Sequence, residues 1–95
     1  MTAYIIARIN VTDMTQYKEY TKLTPGIIEK FGGKFIARGG EVTTLEGAEE
    51  ENRVVLLEFP TAEAAKDFYN SDEYQAAIKV REGASEGQFI VVDGV

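Results

Sequence analysis

The order in which hydrophobic periodicities follow one another constrains the fold of this chain more than any other feature. Residues 3–11 alternate between two sets of side chains and are rich in β-branched residues, which is typical of a strand. Apolar side chains in residues 17–31 then recur at helical spacing. Strand patterns at 34–38 and 53–59 precede a second helical stretch, and a last strand pattern covers 88–92. The predicted order is strand, helix, strand, strand, helix, strand.

Local signals mark the ends of the first helix. Asp13 is a good N-cap, and Gln16 follows three residues later, as in a capping box. Pro25 has no N–H and restricts the residue before it, so we expect a kink or a break near Thr24. The helix should end at Gly32, a residue suited to the left-handed position after a helix.

The second half of the chain carries its own turn and capping signals. The glycine pair 39–40 predicts a bulge or sharp bend, after which residues 41–46 should continue the second strand. A polar loop at 47–52 then makes a hairpin with the third strand. Thr61 is placed to cap the second helix, and Ser71 to cap a short third helix.

Two right-handed crossovers around one hairpin give a single α+β domain over residues 1–95, the ferredoxin-like βαββαβ fold. Its four-stranded antiparallel sheet has the order 4-1-3-2, with the helices on one face. The strand phase leaves the opposite face too apolar for a monomer, so we expect a second copy to cover it in a two-fold homodimer. The apolar residues predicted there are Tyr4, Ile6, Ile36, Val54, Leu56, Ile90 and Val92.

Composition narrows the function mainly by exclusion. The 95 residues include 16 acidic and 10 basic side chains, a formal charge of −6, so nucleic acid and anionic membranes are poor partners. The absence of cysteine excludes disulfides and thiolate ligands, and the absence of histidine removes the commonest metal ligand and general base. We therefore expect no metal and no cofactor. No membrane-length apolar run or signal peptide pattern is visible, so the expected location is the cytoplasm.

Three ionisable residues are predicted among the apolar side chains of the uncovered sheet face: Arg8, Arg38 and Glu58. Counting back along the hairpin places Arg38 within a residue or two of Glu58. One interpretation is a structural ion pair that fixes the register of a dimer. The other is a pocket closed by the partner subunit, in which Arg38 binds a ligand carboxylate bidentately and Glu58 acts as a base.

Further candidate ligand-binding residues lie on the predicted helices. The tyrosines could wall a pocket and donate hydrogen bonds, or simply pack in the core with the hydroxyl at its rim. Ser71 is better explained as a helix cap than as a nucleophile, since no histidine can activate it. The stem of Arg81 should pack along the buried stripe of the third helix. The helical tyrosines are Tyr17, Tyr20, Tyr69 and Tyr74.

Three segments are the most distinctive in the chain: residues 38–40 (RGG), residues 58–60 (EFP), and residues 69–71 (YNS) running on to Tyr74 and Arg81. Through these segments, and along essentially its whole length, the chain resembles the domain-of-unknown-function family thirteen-thirty. The resemblance implies a ferredoxin-like dimeric α/β barrel. That superfamily includes cofactor-free monooxygenases, lactone isomerases and haem enzymes, and the family's own activity is not established.

Three functions remain open at this point. The first is a protein that binds a small organic molecule, with or without a carboxylate, in a pocket at the dimeric sheet face. The second is a cofactor-independent isomerase or monooxygenase that uses Glu58 and Arg38, an analogy to the superfamily. The third is a structural dimer without a ligand. The sequence assigns no catalytic residue.

Overall fold

The chain forms four strands and three helices in a computed structural model that describes residues 2–95. The predicted order is confirmed, including the division of the second helical stretch at Ser71. In chain order the elements are β1 (Ala3–Val11), α1 (Met14–Lys30), β2 (Lys34–Arg38), β3 (Arg53–Phe59), α2 (Ala62–Asn70), α3 (Asp72–Arg81) and β4 (Ser85–Asp93).

The four strands form one antiparallel sheet in the order β2-β3-β1-β4, which is the predicted order 4-1-3-2. Ile5 lies between Leu57 and Val91, so these three side chains share one face. This face is covered by helices, and we call it the covered face. The opposite side, which we call the open face, carries Tyr4 and Ile6. The fold is therefore the ferredoxin-like α+β fold.

Short polar side chains begin each helix as expected. Asp13, Thr61 and Ser71 each accept a hydrogen bond from the backbone N–H three residues later, at 3.0 to 3.1 Å. These bonds satisfy donors that a helix otherwise leaves free at its first turn. Gly32 follows α1 with a φ of 79°, the left-handed conformation that glycine adopts at low cost.

The expected break near Thr24 is wrong, because α1 runs through Pro25 as one helix. Proline cannot donate to the carbonyl four residues earlier, which belongs to Thr21. Arg38 donates to that carbonyl instead, with Nη2 3.0 Å from the oxygen. A side chain from β2 thus replaces the missing helical hydrogen bond.

The second strand is shorter than predicted, because residues 41–46 do not continue it. Gly39 has a φ of 70°, which turns the chain away from β3 directly after Arg38. The following loop is held internally, since the Glu50 N–H donates to the Thr44 hydroxyl at 2.9 Å. We call residues 39–52 the hairpin loop.

A bulge in β2 sets the direction of its last side chain. The register pairs Phe35 with Leu57 and Ala37 with Leu56, so one residue of β2 is extra. The bulge thus lies earlier than the glycine pair at which it was predicted. Beyond it Arg38 lies opposite Val55, on the covered face. A bulge of one residue reverses the in–out phase, and the prediction that Arg38 belongs to the open face is wrong.

The main core lies between the covered face and the three helices. Alternate residues of β1 and β3 pack against the inner stripes of the helices, and Phe68 stacks at 4.4 Å from the ring centre of Tyr74. The principal buried residues are Ile5, Ala7, Ile9, Val55, Leu57, Phe59, Tyr17, Tyr20, Ile28, Ala65, Phe68, Tyr74 and Ala77.

The open face keeps its apolar side chains without a cover. Ile36, Ile90 and Val92 are 44 to 50% exposed, which is unusual for neighbouring large aliphatic residues of a sheet. Ile6 and Leu56 lie between them and are half-buried. Among residues 2–95, no helix combines the length and the apolar character needed to cross a membrane.

Candidate functional site

Arg38 and Glu58 do not form a common site. Glu58 lies opposite Tyr4 and Lys34, which places it on the open face, whereas Arg38 lies on the covered face. The sheet therefore separates the two side chains. The predicted ion pair is wrong, and so is the geometry of a site that uses both residues.

The charged residues of the open face have other partners. The Glu58 carboxylate lies 3.1 Å from the Lys34 ammonium, across the first rung of the β2–β3 ladder. Arg8 reaches the hairpin loop, where its guanidinium lies 2.6 Å from Glu50. This contact lowers the pKa of Glu50 through a hydrogen bond from Arg8. Both pairs are exposed enough to contribute little to stability.

A small cavity lies on the other side of the sheet, between α1 and the covered face. Its volume is about 30 Å³. The sheet contributes an apolar floor that includes Ala7, Ile9 and Val55, and α1 contributes Tyr17 and Tyr20. The lining also includes two arginines, Arg38 and Arg53. We call this space the arginine cavity.

Arg38 reaches the cavity from β2 with an exposed side chain. Its guanidinium carbon lies 4.4 Å from the ring centre of Phe35, a cation–π distance. The hydrogen bond to the Thr21 carbonyl holds the end of the side chain against α1. Arg38 therefore crosses from the sheet to the helix layer at the side of the cavity.

Arg53 enters from the first residue of β3, opposite Ile9. Its guanidinium lies 5.9 Å from the ring centre of Tyr17, and its Nε is buried without a hydrogen-bond partner among residues 2–95. Gly39 leaves room for it, because a Cβ at that position would overlap the guanidinium. The turn after β2 and the position of Arg53 are thus linked.

Arg81 stands behind the cavity wall at the end of α3. Its guanidinium lies 5.1 Å from the ring centre of Tyr20 and 5.2 Å from that of Phe89. The hydroxyls of Tyr20 and Tyr74 meet at 2.6 Å within the core. The Nε of Arg81 is buried without a partner in the described part of the chain. Arg81 therefore adds a third positive charge next to the tyrosine pair.

Burial dominates the acid–base behaviour of the three tyrosines. It raises the pKa of Tyr20 and Tyr74 above the usual range, and it also raises the pKa of Tyr17. The positive charges of Arg53, Arg81 and Arg38 act on Tyr17 in the opposite direction. All three arginines are thus close enough to influence the Tyr17 hydroxyl, which remains a proton donor at neutral pH.

The remaining predicted candidates lie apart from the arginine cavity. Ser71 acts as a cap, since its hydroxyl accepts from the Tyr74 N–H and donates to the Phe68 carbonyl. Tyr69 is half-buried, with its ring centre 5.4 Å from that of Tyr74. It borders a separate space of about 160 Å³ between α2 and β4. Of the predicted candidates, Arg38, Tyr17, Tyr20 and Tyr74 line the cavity, and Arg81 adjoins it through Tyr20.

Charge makes the cavity distinct from the rest of this acidic chain. No aspartate or glutamate lines it, and within residues 2–95 none forms an ion pair with Arg38, Arg53 or Arg81. The same residues contain no cluster of three acidic side chains suited to a metal ion. The arrangement favours an anion with an apolar or aromatic body.

Sequence reasoning missed Arg53, although a signal was present. In the third strand Arg53 has the same phase as Val55 and Leu57, which alternate with the predicted open-face residues Val54 and Leu56. An arginine at the start of a buried stripe is a candidate for a site because a charge there needs a partner. For Arg38 no comparable signal exists, since only the bulge in β2 turns it inward.

The antiparallel sheet, the one-sided helices and the cavity between them define an α+β protein of the ferredoxin-like class. A model of the family described as Domain of unknown function (DUF1330) matches residues 2–95, and the chain belongs to this family. The predicted resemblance is confirmed. No curated protein matches the chain.

Solved structures with the same fold come from several organisms. A protein of unknown function from Rhodopseudomonas palustris has a TM-score of 0.80 at 19% identity, with 99% of this chain and 82% of that chain covered. A dimeric ferredoxin-like protein of unknown function from Jannaschia sp. CCS1 has a TM-score of 0.72 at 12% identity, covering 99% and 100%. SnoaB, a cofactor-independent oxygenase from Streptomyces nogalater, has a TM-score of 0.67 at 11% identity, covering 99% and 93%. At these sequence identities the similarity shows a shared fold and nothing about a shared function.

Proposed function

We propose that this protein binds a small organic anion in the arginine cavity, with a carboxylate as the anionic group. The observation that carries the proposal is the pair of arginines, Arg38 and Arg53, that line an apolar cavity without any carboxylate. The proposed pocket lies between the helices and the sheet rather than at the open face, where the sequence-based hypothesis placed it.

Elementary electrostatics supports an anionic ligand. A buried donor without a partner costs free energy, and the Nε of Arg53 is such a donor. Arginine binds a carboxylate through two parallel hydrogen bonds, which are stronger than bonds between neutral groups. The Tyr17 hydroxyl, which forms no hydrogen bond within the described residues, adds a further donor. A carboxylate would satisfy these groups together.

The volume of the cavity implies that a side chain moves when the ligand enters. A space of about 30 Å³ holds only one or two water molecules. Arg38 is the side chain best suited to move, because it is exposed and held to α1 by one hydrogen bond. A ligand carboxylate would replace the Thr21 carbonyl as the acceptor for its guanidinium.

The proposal predicts that removing Arg53 weakens anion binding without harming the fold. Hexanoate should bind the wild-type protein, as measured by isothermal titration calorimetry, and Arg53→Met should weaken binding at least about tenfold. Since this variant removes a buried donor without a partner, its free energy of unfolding should equal or exceed that of the wild type.

Lys18→Met serves as the matched control, because it removes one positive charge from an exposed position on α1. This variant should bind hexanoate like the wild type. Equal binding by Arg53→Met and Lys18→Met would show that the cavity does not hold the anion, and so would an absence of binding to the wild type.

A cofactor-independent enzyme remains the second candidate function. The observation that favours it is the Tyr17 hydroxyl among three positive charges, which together could stabilise the enolate of an enolisable acid while water takes the α-proton and returns it. The sequence-based hypothesis of an enzyme uses Glu58, which lies on the opposite face of the sheet. Solvent deuterium incorporated next to the carboxylate of a bound acid, and lost in Tyr17→Phe, would support an enzyme.

The proposal also includes a homodimer formed through the open face. The exposed aliphatic side chains of Ile36, Ile90 and Val92 support it. Two proteins of unknown function that share the fold are described as dimeric. In such a dimer the arginine cavities would lie on the outer sides of the paired sheets. A purely structural dimer and a cytoplasmic location stay predictions from the sequence.

A further inference from the structure

A second, larger space adjoins the arginine cavity and has no role in the proposed function. This space lies beneath the hairpin loop and has a volume of about 420 Å³. Its walls include Met14 from the start of α1 and Val42 from the loop. We call it the loop groove. Its volume falls within the range of sites for small organic molecules.

Arg53 and Ile9 line both the arginine cavity and the loop groove. The two spaces are therefore neighbours that share one wall. Gly39 also lines the groove, and it leaves room for the Arg53 guanidinium. An anionic head group on Arg53 would consequently have its body directed into the groove, since the cavity itself is too small for the body.

The groove differs from the cavity in its charge. Glu51 lines it and makes no ion pair or side-chain hydrogen bond with any other residue of 2–95. Glu50 also lines it but is engaged by Arg8 and by the N–H of Asn52. An anionic group in the groove would be repelled by these carboxylates, whereas a cationic or hydroxyl group would find acceptors.

Resting on the proposed function, we propose that the ligand is a monocarboxylate whose far end carries an ammonium or hydroxyl group, with the head group on Arg53 and the far end at Glu51. Glu51 and Arg53 are two positions apart in the chain, so their Cα atoms lie at most about 7 Å apart. A chain of about six carbons spans a similar distance. The ligand class is therefore that of ω-amino or ω-hydroxy acids.

Four acids with the same six-carbon chain test this selectivity: hexanoate, 6-hydroxyhexanoate, 6-aminohexanoate and adipate. Calorimetric titration of the full chain should give the tightest binding for 6-aminohexanoate and the weakest for adipate, about tenfold apart. Glu51→Gln should reduce this difference to about twofold, since the charge that separates the two acids is removed. Glu63→Gln, an exposed carboxylate on α2, should leave it unchanged.

Three results would overturn the inference, and two of them leave the proposed anion site standing, so the two failures are distinguishable. Equal affinity for all four acids, or tightest binding of adipate, would show that the groove does not select the far end, while anion binding itself would stand. No binding of any of the four would overturn the anion site and the groove together. The same tenfold difference in Glu51→Gln would assign the selectivity to another residue.

Discussion

Arg53 and Arg81 each bury an Nε atom that finds no partner among residues 2–95. The chain has 16 acidic residues, yet within residues 2–95 none of them forms an ion pair with either arginine. Such unsatisfied donors cost stability and are therefore uncommon in native proteins. At Arg53, which lines the arginine cavity, the carboxylate of the proposed ligand would supply the missing acceptor and so offset this cost. The tyrosines beside these arginines affect how the stability of the protein depends on pH.

The raised pKa values of Tyr17, Tyr20 and Tyr74 predict that the protein loses stability in alkaline solution. In the unfolded chain a tyrosine releases its proton near pH 10, whereas burial keeps these three protonated in the fold. The stabilisation is thus fully present below about pH 10 and is lost as the pH rises above it. Tyr20, whose pKa is raised most, should steepen the fall by about 1.4 kcal/mol per pH unit.

Urea denaturation between pH 9 and 11.5 measures this slope, and Tyr20→Phe gives the comparison. The variant should show a shallower fall, because one titrating group has been removed. Its stability at pH 7 should also be lower by about 1 to 2 kcal/mol, since the Tyr74 hydroxyl loses its partner at 2.6 Å. Parallel slopes for both proteins would show that Tyr20 does not titrate on unfolding.

At the scale of elements, β2 and α1 depend on each other. The bulge beyond Phe35 turns Arg38 to the covered face, and Pro25 leaves the Thr21 carbonyl without its helical donor. The Nη2 of Arg38 then donates a hydrogen bond to that carbonyl oxygen, at 3.0 Å. The bulge in β2 and the proline in α1 would each be unfavourable alone. The hydrogen bond from Arg38 at the side of the cavity links the two, because the bulge supplies the donor and the proline leaves the acceptor free.

Pro25→Ala tests this combination. Alanine restores an N–H to the helix, so the free energy of unfolding should rise by about 1 to 3 kcal/mol. Arg38→Ala should cost about 1 kcal/mol in the wild type but clearly less in the Pro25→Ala protein, because the helix then satisfies the Thr21 carbonyl itself. The double-mutant cycle is measured by urea denaturation. Equal costs in both backgrounds would show that Arg38 and Pro25 are not coupled.

The same elements show how far the sequence determines the structure. Periodicity and capping residues were enough for the order of elements and the sheet order, because buried stripes and caps such as Asp13 are local. The bulge in β2 was missed, since residues 34–38 show no glycine or proline. That single extra residue moved Arg38 from one face to the other, so the predicted pair with Glu58 failed. Arg53, in contrast, was predictable from its phase with Val55.

At the scale of the whole molecule, the two faces of the sheet differ in burial and in structural role. The covered face builds the core and the arginine cavity, whereas the open face presents exposed aliphatic residues such as Ile36 and Ile90. An exposed apolar sheet face of this kind favours association. The charged pairs Lys34–Glu58 and Arg8–Glu50 lie on the same side and would flank a dimer contact.

Ile90→Asp should convert the proposed dimer into a monomer. The substitution places a charge without a partner in the buried contact, which costs several kcal/mol. Light scattering coupled to size exclusion should give twice the chain mass for the wild type and the chain mass for the variant. Leu23→Asp, at a similarly exposed position on α1, should remain dimeric. A stable wild-type monomer would contradict the proposal.

The central claim is that an anion binds at Arg53 and Arg38. The chain contains only four arginines, so a ¹⁵N–¹H spectrum of their Nε–H groups has four signals to follow. Titration with hexanoate should shift the signals of Arg53 and Arg38 along one saturable curve, while the signal of Arg8 stays in place on the open face. No shift at Arg53, or shifts of equal size at Arg8 and Arg53, would contradict the claim.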